Sequence, residues 1–293
     1  SVPTSKTYDG TTTATVNGTS ALQTSETAGT GTTSDGKPYT GDTVSITGTA
    51  VGTYNDAHVA SASSVSFSGL SLTGAQSGNY SLTSYSPASA TITAATLTPT
   101  ISNSSVTKVY DGTTTSTFTP TYTFSGLVSG DTDATLTNTS KTYNSKDVAS
   151  ANTVTVSGLS ISSITGNKSS ATTDYTLDST SKTKAATITA KSLTASAAAT
   201  NKTYDGSNNS TVVIESLSGF IGTETVTAAV NTATFDNKNV GDEKVVTVSY
   251  NLSNGTNGGL ASNYSLANTT TVANVTKKPI TVIGLTADSK IYD

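Results

Sequence analysis

The chain of 293 residues contains no cysteine, which excludes disulfide bonds, thiolate metal sites and cysteine nucleophiles. Arginine is also absent, and the 15 lysines are scattered among 19 acidic residues, so no clustered basic face is available for nucleic acid. The formal charge of −4 is small for a disordered chain, and no apolar stretch approaches the roughly 20 residues that cross a bilayer as a helix. Because threonine is abundant, the composition favours folded β-structure.

One phrase recurs along the chain. It reads SKTYDGTTTATV from Ser5, TKVYDGTTTSTF from Thr107 and NKTYDGSNNSTV from Asn201, and a fourth copy, SKIYD, ends at Asp293. The spacings of about 90–100 residues suit domains rather than solenoid repeats, which are about 20–50 residues long. We therefore predict three domains, residues 1–95, 96–191 and 192–278, each with its own core. Residues 279–293 then begin a fourth repeat.

Five further blocks follow the phrase in the same order within each repeat. They are a Gly-Asp step, an aromatic turn, an alternating strand that begins at Val65, Val154 or Val246, an Asn/Asp-Tyr-x-Leu segment, and a closing strand of the type ATIT. The alternation places valines on one face of a strand, and turn residues recur every eight to fifteen positions. The prediction is an all-β chain of three tandem antiparallel β-sandwich-like domains, arranged end to end as an elongated rod.

The recurring phrase predicts a strand end followed by a tight turn. Lysine and tyrosine share a strand face by their i, i+2 spacing, so the lysine stem is expected along the tyrosine ring, and glycine supplies the positive φ of the turn. We predict a structural role for all twelve motif residues: Lys6, Tyr8, Asp9, Gly10, Lys108, Tyr110, Asp111, Gly112, Lys202, Tyr204, Asp205 and Gly206.

These blocks resemble the YDG repeat domain, which occurs in tandem in very large bacterial surface proteins, including filamentous-haemagglutinin-like and related adhesins. The resemblance covers nearly the whole chain. Two departures are Ala57 with His58 in the first aromatic turn, where the other repeats have lysine first, and Thr223 in place of the third Gly-Asp aspartate. The resemblance implies an exported, repetitive module of the bacterial cell surface, without catalytic residues.

Candidate chemistry is sparse. His58 is the only histidine and no nucleophile motif accompanies it, so we expect a turn residue and no enzyme. Asp42, Asp131 and Asp133 lie beside glycines in predicted loops and are weak Ca²⁺ candidates, because they offer fewer ligands than Ca²⁺ prefers. We expect no cofactor, with Ca²⁺ as the alternative. An amide cross-link from a buried motif lysine to a neighbouring Asn or Asp is a further open alternative.

Residues 24–41 form an extra loop in the first repeat. Loops on a repeated scaffold often carry binding, and Tyr39 beside Pro38 is a candidate contact. The insertion is also compatible with a surface loop without function, because lengthening a loop costs little stability. Both readings stay open.

The last segment predicts a strand without a domain. Residues 279–293 match the strand that precedes the second and third phrases, and no counterpart precedes the first. We expect that a donor strand carrying Ile280, Val282, Ile283 and Leu285 completes the first domain of a neighbouring copy. The alternative is a cut end of a longer array.

Together these features predict a non-catalytic stalk or fibre segment of an extracellular bacterial surface adhesin. Its expected partners are neighbouring copies or domains of the same protein. The alternative is an adhesive binding module that recognises a glycan or another cell surface through its inter-strand loops.

Overall fold

The computed structural model describes residues 1–83 and 86–292. Within these ranges the chain forms strands and three short 3₁₀ helices, with no α-helix. Among the described residues, no helix is long and apolar enough to span a membrane. The all-β prediction is therefore confirmed.

The strands follow the repeats in chain order. The first repeat contains β1 Ser5–Thr7, β2 Thr13–Ala14, β3 Ser45–Tyr54, β4 Ser64–Thr73, a 3₁₀ turn Ser77–Asn79, β5 Ala88–Ser89 and β6 Thr91–Thr93. The second contains β7 Ala95–Ile101, β8 Thr107–Val109, β9 Tyr122–Ser125, β10 Asp131–Thr137, β11 Ser140–Tyr143, β12 Thr153–Ser157, β13 Ser160–Gly166, a 3₁₀ turn Thr172–Asp174, β14 Tyr175–Leu177, β15 Ser181–Ala185 and β16 Thr187–Thr189. The third contains β17 Lys191–Ala199, β18 Lys202–Thr203, β19 Val212–Ser218, β20 Val226–Phe235, β21 Gly241–Asn254, a 3₁₀ turn Ala261–Asn263, β22 Tyr264–Leu266 and β23 Thr269–Thr276.

The alternating strands bury their valines as the two-residue period requires. Val65 at the start of β4 is fully buried between half-exposed and exposed neighbours, and Val246 and Val248 repeat the arrangement in β21. β4 pairs antiparallel with β3, and β21 pairs antiparallel with β20 and β23. The predicted core face of these strands is confirmed.

Parallel pairs are the main difference from the antiparallel prediction. The strand before each Tyr-Asp-Gly motif runs parallel to the closing strand of the same repeat, in the pairs β1–β6, β8–β16 and β18–β23. The first strands of the second and third repeats, β7 and β17, run parallel to β14 and β22. Each pair joins the beginning of a repeat to its end, and such a long connection permits a parallel crossover that a hairpin does not.

The described residues divide into two compact units that do not follow the sequence repeats. One contains residues 1–104, 119–141 and 155–183, and the other contains residues 105–118, 142–154 and 184 onward. The expectation that each repeat owns one core is therefore wrong. The boundaries of the three predicted domains stay a prediction.

The hydrophobic clusters show how the repeats share their cores. In the first unit, Tyr8 and Val65 of the first repeat pack in one cluster with Leu97 and Tyr175 of the second. In the second unit, one cluster likewise combines residues of the second and third repeats, and another belongs to the third repeat alone. We call the part of a repeat with the Tyr-Asp-Gly motif and the aromatic turn its turn half. The part with the Gly-Asp step and the Asn/Asp-Tyr-x-Leu segment is its acceptor half.

Candidate functional site: the lysine turns and the tyrosine joints

Each Tyr-Asp-Gly turn is closed by its own lysine. The Lys6 ammonium donates to Asp9 Oδ1 at 2.7 Å and to the carbonyl oxygens of Thr11 at 2.8 Å and Thr13 at 3.0 Å. It also lies 5.3 Å from the centre of the Tyr54 ring, close enough for a cation–π contact. One cation therefore ties together the turn, the strand that follows it and the aromatic turn.

The same lysine turn occurs in all three repeats. The ammonium groups of Lys108 and Lys202 also bind the motif aspartate and two carbonyl oxygens, and they face the rings of Tyr143 and Phe235. The prediction that the lysine lies along the motif tyrosine is thus corrected, because the ring it faces belongs to the aromatic turn. The motif tyrosine Tyr8 is instead buried in the core.

Backbone geometry and charge support the turn. Gly10, Gly112 and Gly206 have φ values of 70°, 76° and 85°, the left-handed region that a side chain disfavours. The backbone N–H of Ser207, followed by the Lys202 ammonium, lowers the pKa of Asp205 to about 2. The carboxylate therefore stays ionised over the ordinary pH range and keeps both contacts.

The first tyrosine joint lies between the turn half of the first repeat and the acceptor half of the second. The rings of Tyr8 and Tyr175 meet edge to face, with centroids 5.6 Å apart. The Tyr175 hydroxyl donates to Asp131 Oδ2 at 2.6 Å, and Ser170 Oγ donates to the same oxygen while bonding the Tyr8 hydroxyl. Burial, followed by the hydrogen bond to Asp131, raises the pKa of Tyr175. This joint is a buried polar network inside an aromatic contact.

A buried carboxylate completes the first joint. Asp174 is fully buried and accepts hydrogen bonds from the backbone N–H groups of Val59 and Ala171, both at 2.8 Å. Its Oδ2 also lies 2.7 Å from Nδ1 of His58, in the aromatic turn of the preceding repeat. The carboxylate of one repeat therefore holds the turn of its neighbour.

The second tyrosine joint repeats this arrangement with different side chains. The rings of Tyr110 and Tyr264 are 5.5 Å apart, edge to face. Both hydroxyls donate to the Glu224 carboxylate, Tyr110 at 2.8 Å and Tyr264 at 2.7 Å, and the Lys146 ammonium lies 3.5 Å from it. Burial, then the bond to Glu224, raises the pKa of Tyr264 to about 12. The pKa of Glu224 lies below its usual value. Burial acts to raise this pKa, but the hydrogen bonds from Tyr264 and Tyr110 outweigh it.

The two joints differ in which half carries the carboxylate of the polar pair. His58 on the turn half faces Asp174 on the acceptor half in the first joint, whereas Asp147 on the turn half faces Asn263 on the acceptor half in the second. Asn263, fully buried at the position of Asp174, accepts from the backbone N–H of Val148 at 2.9 Å, as Asp174 accepts from Val59. Its amide nitrogen donates to Asp147 Oδ1 at 2.8 Å. In the first joint the carboxylate lies on the acceptor half, whereas in the second it lies on the turn half. Both pairings are satisfied.

A comparison with protein-family models identifies the repeated unit of the sequence. The family model for the YDG domain matches residues 1–90, 93–184 and 189–272. The chain belongs to the YDG domain family. The comparison with curated proteins and the comparison with solved structures gave no match. The lysine turns and tyrosine joints are thus features of three consecutive YDG domains.

The other candidate residues lie in or near the same features. Asp131 accepts the Tyr175 hydroxyl in the first joint, and Asp42 accepts the Tyr80 hydroxyl at the equivalent place in the first YDG domain. The Asp133 side chain accepts a hydrogen bond from the N–H of the next residue, Ala134. Among the described residues, no group of three or more His, Cys, Asp or Glu side chains could hold a metal ion.

The extra loop and the last segment occupy different surroundings. In the loop, Tyr39 is half-buried, forms a parallel bridge with Glu26 and donates its N–H to the Tyr80 hydroxyl. In the last segment, the four predicted donor residues Ile280, Val282, Ile283 and Leu285 are exposed and lie outside any strand of the described chain.

Sequence reasoning missed the joint residues on the acceptor halves. Ser170, Asp174, Glu224 and Asn263 did not stand out among many hydroxyl and amide residues. A signal existed, because the residue before Tyr80, Tyr175 and Tyr264 is always Asn or Asp. Reading it required knowing that its partner lies in the aromatic turn of the preceding YDG domain.

Proposed function

We propose that this chain is a non-catalytic structural segment of a stalk or fibre in an exported bacterial surface adhesin, located outside the cell. The observation that carries the proposal is the tyrosine joint, in which a buried network connects the turn half of each of the first two domains to the acceptor half of the next. A flexible linker has no such network, because burying polar groups is favourable only when they are paired and held in one geometry.

The surroundings of the only histidine favour a structural role over a catalytic one. In a catalytic triad, a hydroxyl bonds one ring nitrogen of histidine while a carboxylate holds the other. His58 bonds the Asp174 carboxylate, but the nearby Ser170 hydroxyl bonds Tyr8 and Asp131 instead. The histidine therefore orients a turn in this proposal.

Single-molecule stretching of the whole chain between two handles tests the proposal. We expect discrete unfolding events, with joined halves released together. Each release of about 90 residues should lengthen the chain by roughly 300 Å, from the reach of an extended residue. Asn263→Ala should lower the force of the event that involves the second joint and leave the first joint unchanged. Smooth extension at low force, without discrete events, would contradict a segment that resists stretching.

The adhesive alternative makes a different prediction. A module that binds through residues 24–41 should retain cells or glycans on a surface coated with the chain, and deletion of that loop should abolish the retention. A structural segment should show no retention that depends on the loop.

A further inference from the structure

The first two Tyr-Asp-Gly turns are each covered by a side chain of the following YDG domain. A Cβ atom placed on Gly10 would lie 3.1 Å from Cδ and 3.2 Å from Cγ of Lys168. A Cβ atom placed on Gly112 would lie 2.9 Å from Cγ2 of Ile221. Carbon atoms attract each other best at about 3.5–4.0 Å, so the neighbouring domain already fills both positions. The next acceptor half therefore occupies the space that a side chain on the motif glycine would need.

In the second joint this contact adjoins the tyrosine pair. Ile221 donates its N–H to the Tyr264 hydroxyl at 3.1 Å, and its side chain packs against the cluster that contains Tyr110 and Tyr264. Gly112 follows Tyr110 by two residues. One motif therefore supplies both a tyrosine and a glycine to the contact with the acceptor half.

The first joint has the same relation with a different side chain. Lys168 lies two residues before Ser170, whose hydroxyl bonds the Tyr8 hydroxyl at 2.6 Å. Gly10 lies two residues after Tyr8. The stem of Lys168 covers the glycine here as Ile221 does in the second joint, because a lysine stem is apolar along its length.

The lysine turn holds the glycine in place at this contact. In the second domain the Lys108 ammonium binds Asp111 Oδ1 at 2.6 Å and the Thr113 carbonyl oxygen at 2.7 Å, on the two sides of Gly112. The N–H and the hydroxyl of Thr113 both donate to the same Asp111 oxygen at 2.9 Å. The position of the glycine that faces the next domain is thus fixed from within its own domain.

A positive φ alone does not require glycine at these turns. The φ values of Gly10 and Gly112, 70° and 76°, lie in the left-handed region, which asparagine also adopts. In this chain Asn257 has a φ of 55°. Asparagine would therefore suit the turn, but it would add the Cβ atom for which the contact has no room.

We propose that the Tyr-Asp-Gly turn is the surface on which the following YDG domain docks, with its glycine as a positioning residue of the joint. The partner that fits is the acceptor half of another YDG domain that presents an aliphatic stem or side chain, as Lys168 and Ile221 do. The inference rests on the proposed structural function, because it names the surface through which consecutive domains hold each other. The motif lysine then shapes the turn within one domain, and the motif glycine admits the next domain.

Asparagine substitutions in the full chain separate the turn from the contact. Gly112→Asn retains a residue that tolerates positive φ but adds a Cβ atom against Ile221. This overpacking should speed hydrogen exchange of the Val148 N–H, which Asn263 holds across the second joint, about tenfold. Gly206→Asn is the matched control in the same compact unit, because Gly206 has a φ of 85° and no atom within 4 Å of an added Cβ. It should lower the urea unfolding midpoint by less than Gly112→Asn does.

A second substitution identifies the contact itself. In Gly112→Asn combined with Ile221→Ala, exchange of Val148 should speed up by less than the two single effects combined, because alanine lacks the Cγ2 atom. Equal losses of midpoint in Gly112→Asn and Gly206→Asn, together with additive exchange effects, would overturn the proposal.

The first joint provides the test if Gly112→Asn does not fold. Gly10→Asn should speed exchange of the Val59 N–H, and Lys168→Ala should remove most of this effect. Unchanged exchange of Val59 in Gly10→Asn would overturn the docking surface. Hydrogen exchange needs no applied force, so a chain that passes these tests but extends smoothly on stretching would refute the structural function alone. Discrete unfolding events without the exchange effects would refute the docking surface alone.

Discussion

Exchanging the polar pair of one tyrosine joint for that of the other is the sharpest test of this structure. In the first joint His58 contacts the fully buried Asp174, and in the second Asp147 contacts the fully buried Asn263. We therefore compare His58→Asp, Asp174→Asn and the double variant, which installs the second pair in the first joint. The singles should destabilise this joint, and the double should be destabilised by less than the sum of the two singles.

The magnitudes follow from the contacts. Asp174→Asn turns one acceptor into a donor that faces the Ala171 N–H, and an unsatisfied buried group costs about 1–3 kcal/mol. His58→Asp places a second carboxylate against a buried one, and an uncompensated buried charge costs about 3–5 kcal/mol. In the double variant the new amide donates to the new carboxylate. We expect a favourable coupling free energy of about 2 kcal/mol, within the range for residues in one network.

Hydrogen exchange read by mass spectrometry measures this coupling locally. Peptides containing Val59 report the opening of the first joint, and peptides containing Val148 serve as an internal control in the same molecule. Exchange should speed up in the first set for each single variant, and in the double it should speed up by less than the two single effects combined predict. If the double variant loses as much protection from exchange as the two single variants summed, the two substituted residues are not energetically coupled and the reasoning is refuted.

Three further outcomes follow from the same contacts. Lys108→Met should lower the free energy of unfolding by about 1–2 kcal/mol in urea, because the motif aspartate and two carbonyl oxygens lose their shared donor. An unchanged unfolding midpoint would contradict a stabilising role for the lysine turn. Urea unfolding at increasing pH should show stability lost as pH rises from 10 towards 12, since the pKa of Tyr264 is raised in the folded state. Tyr264→Phe should flatten this loss, and an unchanged pH dependence in that variant would contradict it. Acid titration should show the contribution of Asp205 lost as pH falls from about 4 towards 2, because its folded pKa is depressed; Asp205→Asn should remove this part of the pH dependence, and an unaltered acid curve would contradict it.

Local features of the fold could be predicted from the sequence, because they depend on neighbouring residues. The buried face at Val65 follows from two-residue alternation, and the positive φ of Gly10 follows from the turn dipeptide. The ring that faces Lys6 was not predictable in this way. It belongs to Tyr54, which lies 48 positions further along the chain, whereas strand periodicity only relates Lys6 to its near neighbour Tyr8.

The joints could not be predicted because the repeats are alike. By pattern alone, Tyr8 could pack against Tyr80 in its own domain or against Tyr175 in the next, since both tyrosines end the same segment. The connections decide between them. β6 pairs with β1, and only Ala94 separates β6 from β7, which pairs with β14. The chain therefore carries the turn half of one domain directly to the acceptor half of the next.

Repeats that share the same motifs carry a risk that the joints reduce. Tandem domains of similar sequence can misassemble by exchanging equivalent segments. If the turn half of the second domain paired with the acceptor half of the same domain, Asp147 would face Asp174 and place two carboxylates in one buried site. If the turn half of the first domain paired with the acceptor half of the third, His58 would face Asn263, and Glu224 would lose the contacts of Tyr110 and Lys146. The first of these is disfavoured by like charge and the second by unsatisfied polar groups. Differences between the joints thus select the correct neighbour, while the lysine turns, which act within one domain, remain the same in all three.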